Sequence, residues 1–178
     1  TAPESRTLSR KLRDKYDAVL VGANTLKKDN PKLDGLRKNP YKIVISSKLN
    51  LPADSYFFKN SSGNSIVFTS LNQKGKNRLP NQAKVFFSRE NKAGFLLKNI
   101  LKNLYRMKIM SVFVEGGSYT LGRFFEQELV DKIYFFISPK ILGGKAALTS
   151  VGADGFRSIK KSIEVKRLKI KRIKNKRM

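Results

Sequence analysis

The stretch Asp17-Ala-Val-Leu-Val-Gly22 is a continuous apolar run closed by glycine, short and apolar on successive rather than alternate residues. Neighbouring side chains of a strand point to opposite faces, so a run of this kind is buried on both sides of its sheet, as in a parallel α/β layer. Five more runs share the character: YKIVIS at 41–46, SIVFT at 65–69, KVFFS at 84–88, MSVFVE at 110–115 and KIYFFIS at 132–138. Helical periods fall between them. Leu8, Leu12 and Tyr16 recur four apart, with Arg6, Arg10 and Arg13 around them, which predicts a basic amphipathic helix from Glu4 to Tyr16. Phe95, Leu96, Ile100, Leu101, Leu104 and Tyr105 keep the same period, and a shorter helix is expected from Ser118 to Gln127. Strands alternating with helices predict an α/β domain whose mostly parallel sheet is covered on both faces.

The 178 residues suit one domain, able to bury about 70% of the surface of its unfolded chain. No internal repeat or Gly/Ser-rich linker divides residues 1–178, and 60–64 and 71–81 have the composition of surface loops. The chain opens on Thr1, so preceding residues are expected to have been removed or left out. Lysine and arginine number 38 against 13 acids, a formal charge of +25, yet 40% hydrophobic and 10% aromatic residues place this charge on a folded body. Cysteine and histidine are absent, which excludes disulfides, thiolate nucleophiles, the usual zinc sites and every histidine-based triad. Proton transfer is left to carboxylate, lysine, tyrosine, water or substrate. There is no apolar run of about 18 residues and no charged-then-apolar leader, so a cytoplasmic protein without a membrane span is the expectation.

Residues 157–178 carry eleven basic side chains and one acid, Glu164. Ile163, Val165, Leu168, Ile170 and Ile173 nearly alternate with charged residues, with one slip of phase at Lys166-Arg167. The pattern predicts a terminal strand or hairpin with a bulge at the slip, and disorder over the last five residues.

In open parallel sheets ligands bind beyond the carboxyl ends of the strands. After the first strand, Gly22-Ala-Asn-Thr-Leu-Lys-Lys-Asp-Asn-Pro-Lys-Leu33 places Asn24, Thr25 and Asp29 there, either as a ligand loop or as ordinary Asp-Asn-Pro turn chemistry. After the 110–114 strand, Glu115-Gly116-Gly117-Ser118 leads into a helix. Two glycines permit close backbone approach, and the helix start offers N–H groups and a positive dipole end to phosphate, although a tight strand-to-helix turn would use the same residues. A carboxylate such as Glu115 at the end of a buried strand is costly unless paired or used. Ser46 and Ser47 end a third strand, and Arg13 and Arg37 flank the first loop as candidate phosphate forks or as solvated surface charges.

Taken in order, Leu12-Arg13, Asp17-Ala-Val-Leu-Val-Gly-Ala-Asn-Thr25, Asp29-Asn-Pro-Lys-Leu33, Ile43-Val-Ile-Ser-Ser47, Val114-Glu-Gly-Gly117, Leu129-Val-Asp131 and Pro139-Lys-Ile-Leu-Gly-Gly144 resemble the pyrimidine reductase family of riboflavin biosynthesis. The resemblance runs from about residue 1 to about 155. It implies a dihydrofolate-reductase-like three-layer fold, with the family's first strand, which would precede Thr1, missing. It also implies a homodimer and NADPH-dependent opening of the ribose of a ribosylamino-pyrimidine 5′-phosphate to a ribityl chain, with hydride arriving at C1. The substrate would be 5-amino-6-(5-phosphoribosylamino)uracil or its 2,5-diamino-pyrimidinone precursor. By the same resemblance Thr25, Asp29, Ser47 and the stretch Gly116, Gly117, Ser118, Tyr119, Thr120, Leu121, Gly122 and Arg123 bind the dinucleotide. Arg13, Leu33, Glu115 and, one place beyond the family spacing, Arg37 contact the substrate. Arg10 stands where the family carries a histidine, and Ser5 and Ser9 both compete for the role of its substrate-contacting serine. The proton is expected from Glu115 or Asp29, directly or through water.

Two other functions fit parts of the sequence. One is a different NADPH-dependent reductase of the same fold; the other is a nucleic-acid-binding protein drawn by the +25 charge. Lysines spread through loops and helices, with no recognised binding motif, reduce the second to a nonspecific property.

Overall fold

The computed structural model describes residues 3–59, 63–74, 79–80, 83–92, 94–141, 143–144, 147 and 149–173. Helix α1 (Pro3–Arg13) opens it, with Glu4 in its first turn and Arg10, Lys11 and Arg13 in its last, charges that match the helix dipole at both ends. Strand β1 (Ala18–Gly22) follows, buried at every position. Helix α2 (Ala23–Asp29) starts directly after it and stops at Asn30, which takes the left-handed conformation that asparagine tolerates, just before Pro31. Then come β2 (Tyr41–Ser46), the single turn α3 (Tyr56–Lys59), β3 (Ser65–Ser70) and β4 (Lys84–Ser88). A two-rung antiparallel hairpin, β5 (Glu90–Asn91) with β6 (Gly94–Phe95), leads into α4 (Leu97–Arg106), β7 (Val112–Gly116) and α5 (Ser118–Glu126).

The main sheet has the order β4-β3-β2-β1-β7, and every pair in it is parallel. Its two faces bury separate cores. One face presents Ala18, Leu20, Ile43, Ile66 and Phe68 to Leu97, Ile100 and Leu104 of α4 and Phe124 of α5. Each fully buried large aliphatic here contributes roughly 1.5–3 kcal/mol. The other face packs Val19, Val21, Val44 and Val67 against Leu26 of α2, Leu33, Leu51, Phe57 and Phe58. The expected α/β class and parallel sheet are therefore present, and the five predicted runs from 17–22 to 110–115 fall on strands.

Two expectations are corrected. Residues 132–138 form no strand: Phe135, Phe136 and Ile137 stand exposed. Only the start of that segment is anchored, by the edge of the Tyr134 ring against Phe113 of β7 at 6.1 Å. A run of apolar residues shows what a segment would bury, but a strand also needs a ladder to join. The basic tail is likewise no strand or hairpin over 157–173; it holds a single 3-10 turn at Ile159–Lys161 and exposes Leu168 and Ile170. At the phase slip Arg167 turns to φ 56°, which interrupts the extended backbone that alternation requires. Residues 174–178, expected to be disordered, lie outside the described residues, as do parts of the two expected loops.

Candidate active site

Because β1 and β7 are neighbours, the helices that follow them start side by side at the carboxyl edge of the sheet. The two starts interlock. A methyl group placed on Gly22 would lie 2.5 Å from Oγ1 of Thr120 in α5, and one placed on Gly117 would lie 3.2 Å from Oγ1 of Thr25 in α2. Glycine at these two positions lets each helix lay a threonine over the other's entry.

The ladder between the strands carries an irregularity at the decisive residue. Leu20 opposes Val114, but Val21 opposes Gly116, so Glu115 is an extra residue bulged out of the register. Bulges re-aim side chains, and here the carboxylate turns to α1. Arg13 grips it with both prongs, Nε to Oε1 at 2.6 Å and Nη2 to Oε2 at 2.8 Å, and the Ser9 hydroxyl donates to Oε1 at 3.3 Å. Both partners are mostly buried, at 15% and 16% side-chain exposure. The costly strand-end carboxylate anticipated from sequence is thus paired by a planar fork. Of the two serines in competition, it is Ser9 that meets Glu115.

The loop after α2 is drawn onto the same helix. Nη1 of Arg13 donates to the Asp34 carbonyl at 2.9 Å, and Arg10 donates from Nε and Nη2 to the Gly35 carbonyl at 3.2 and 3.0 Å. Asp14 accepts from the backbone amides of Leu36, Arg37 and Lys38. The Arg37 amide leads these bonds in holding the Asp14 carboxyl below its usual range. Leu33 is fully buried beneath the loop at φ 57°. Under it the fully buried Lys42 of β2 reaches Asp34 Oδ1 at 2.6 Å.

On the far side of the edge, the Ser47 hydroxyl donates to the Glu90 carboxylate of the β5–β6 hairpin. That hairpin extends to α5, where the Tyr119 hydroxyl lies 3.4 Å from the position a Cβ would take on Gly94. The Gln127 side chain fixes its base, donating to the Phe95 carbonyl and accepting from the Leu97 amide.

The sequence candidates therefore occupy three places. Thr25, Gly116, Gly117, Ser118 and Thr120 gather around the paired helix starts; Ser118 and Tyr119 open the first turn of α5, whose N-terminus has no side-chain cap. Arg13, Glu115 and Leu33 form the cluster beneath α1. Ser47 stands at the end of β2, and Asp29 and the Arg37 side chain are exposed, at the end of α2 and in the loop. Farther along α5, Leu121 is half-buried, and Gly122 lies under the backbone of Gly152 with no room for a Cβ. Arg123 pairs with Glu126, which also accepts from the Gly155 amide at 2.8 Å, while Arg123 Nε is buried without a hydrogen-bond partner.

Sequence reading missed Lys42, Asp34, Asp14 and Glu90. A lysine inside a two-sided apolar strand was the signal for the first two, since a buried ammonium demands a carboxylate. The chemistry of the edge is that of an anion site beside a carboxylate–guanidinium pair. An uncapped nine-residue helix start, entered through Gly116, where a Cβ would meet only open space, fits the phosphates of a dinucleotide.

Comparison with known proteins places the chain in a family. The family model described as the RibD C-terminal domain matches residues 1–177. A riboflavin biosynthesis protein RibD of Aquifex aeolicus is 35% identical over 97% of this chain and 48% of its own length. A 2,5-diamino-6-ribosylamino-4(3H)-pyrimidinone 5′-phosphate reductase of the same organism is 31% identical over 87% of this chain and 71% of its own. Among solved structures, Acinetobacter baumannii RibD superimposes with a TM-score of 0.76 at 19% identity, over 92% of this chain and 46% of that one, a likeness of fold. The chain spans about half the length of the two RibD proteins. With its parallel sheet, its bulged glutamate and its twin helix starts, the chain belongs to the RibD C-terminal domain family.

Proposed function

We propose that this chain is an NADPH-dependent reductase that converts the ribosyl group of a ribosylamino-pyrimidine 5′-phosphate to ribityl, acting on 5-amino-6-(5-phosphoribosylamino)uracil or its 2,5-diamino-pyrimidinone precursor. The observation that carries the reading is the bidentate Arg13–Glu115 pair at the bulge of β7, opening beside the two helix starts. Membership of the family and the reductase among its relatives support it.

When bound, the nicotinamide supplies a hydride. Everything else is left to the chain. The first turn of α5, Thr25, Thr120 and Arg123 would hold the dinucleotide, with Ser47, Gly116, Gly117, Tyr119, Leu121 and Gly122 completing its wall. Arg13, Leu33 and Arg37 would seat the substrate, the two arginines matching its phosphate or carbonyl oxygens. Glu115 would orient the opened sugar and pass a proton, directly or through a water; Asp29 is the alternative donor at the rim. Exposed apolar residues at 135–137 and along 159–173 support a homodimer, checked by sedimentation, which would read a monomer at all concentrations if that is wrong. Nucleic-acid affinity is a nonspecific consequence of the +25 charge and is expected to vanish in moderate salt.

The direct test is NADPH oxidation with each of the two pyrimidine phosphates. Saturable oxidation with one of them is expected; inactivity with both would overturn the assignment.

A further inference from the structure

The cluster under α1 contains a charge that substrate contact does not account for. Lys42 is the second residue of β2, opposite Val19, and its side chain is fully buried on the face where Val44, Val19, Val21, Leu26 and Leu33 pack. An ammonium in such surroundings is retained only against a carboxylate, and Asp34 supplies one at 2.6 Å while its own side chain stays 31% exposed. Asp34 is also the residue whose carbonyl receives Nη1 of Arg13. One loop residue thus meets Lys42 with its carboxylate and Arg13 with its main chain. Just before it, Leu33 holds a left-handed φ of 57°, a conformation that a leucine keeps only when its surroundings fix it.

Arg13 has three tasks in this arrangement: two prongs on Glu115 and one on Asp34. Arg10 of α1 holds the Gly35 carbonyl, Asp14 just after α1 holds the amides of 36–38, and the Gly35 amide donates to the Lys38 carbonyl at 3.1 Å; these bonds fix the loop beyond Asp34, and Lys42 is what holds the Asp34 side chain from below. We infer that Lys42 is a positioning residue: its buried ion pair with Asp34 aims the Asp34 carbonyl at Arg13, and so fixes the guanidinium that grips Glu115. The inference rests on the proposed role of Arg13 in seating the substrate, which gives the relay its kinetic consequence. A misplaced Arg13 weakens substrate capture and leaves the dinucleotide side, built on α2 and α5, untouched.

The test uses the full chain with two changes: Lys42→Met, and Lys42→Met combined with Asp34→Asn, which leaves no lone charge behind. In both, KM for the pyrimidine phosphate is expected to rise about tenfold, as for a binding group displaced by an ångström, while KM for NADPH stays within about twofold. A second readout does not depend on turnover. The Arg13 Nε–H signal in nitrogen-edited NMR, assigned by its loss in Arg13→Lys, should be protected and low-field in the unaltered protein, and should move to the position of a solvated arginine in both variants. Unchanged constants with an unmoved Arg13 signal, or failure of both variants to fold, would overturn the inference and assign Lys42 to the core alone. Absence of turnover by the unaltered protein would instead defeat the functional reading, and the Arg13 signal would then decide this one by itself.

Discussion

Glu115 owes its position to one extra residue in a ladder. Had β7 kept register with β1, residue 115 would oppose Val21 and its side chain would follow the pleat; the bulge frees it to meet Arg13 and Ser9. Glu115→Gln keeps the shape and removes the charge. The expected outcome is a fall of at least about tenfold in the single-turnover hydride-transfer rate in a protein that still unfolds cooperatively, at a lower melting temperature because the mostly buried Arg13 loses its counter-charge; an unaltered rate would remove Glu115 from the chemistry. Gly22 offers a test of the other half of the site. The methyl of Gly22→Ala would press on Thr120 Oγ1, an overpacking worth about 1–3 kcal/mol, and should weaken NADPH binding roughly tenfold. Adding Thr120→Ala removes the obstructing oxygen and should restore most of that affinity; equal affinity in the single variant would show that the helix starts are not the cradle. At this scale the sequence marks Glu115, because an acid ending a buried strand stands out. It marks only half of the Lys42–Asp34 pair: a lysine inside the apolar run 41–46 calls for a carboxylate, but the partner sits eight positions back in a loop whose path no residue type announces.

At the scale of elements, the strands of the central sheet are legible because burial on both faces leaves unbroken apolar runs. The failures, the apolar run 132–138 and the alternating basic stretch 157–173, both carry a strand-like pattern but join no ladder, and local pattern carries no information about neighbours. Two short acids hold the element junctions. Asp17, just before β1, accepts from the Met110 and Ser111 amides and the Ser111 hydroxyl ahead of β7. Burial pushes its carboxyl up, but the Ser111 hydroxyl and those amides outweigh it and the net position lies below the usual range. Asp14, held by the loop amides, is shifted the same way. A depressed folded-state value means stability that is present above the ordinary carboxylate pKa of about 3.9 and is lost as pH falls through the folded value. The urea midpoint should therefore fall more steeply below about pH 4 in the unaltered chain than in Asp17→Asn; parallel curves would contradict the role given to Asp17. Burial also acts on Tyr16, stacked on Phe113 and hydrogen-bonded to Tyr134, and raises its phenol to about 12.

Over the whole molecule, the charge of +25 no longer calls for a nucleic-acid partner. A surplus of ten lies in the tail beyond residue 156, and three of the remaining arginines are committed within the fold, 10 and 13 to carbonyls and a carboxylate beside the carboxyl edge of the sheet and 123 to Glu126 along α5. What unites the molecule is the meeting of β1 and β7 at that edge, where the proposed dinucleotide cradle adjoins a carboxylate–guanidinium pair. The claim reduces to a transfer between two positions, and isotopic labelling follows it. With NADPH deuterated at the transferable C4 position and the pyrimidine phosphate that the chain turns over, the ribityl product should carry one deuterium, at C1. Product without deuterium at that carbon, or no product from either pyrimidine phosphate, would contradict the account.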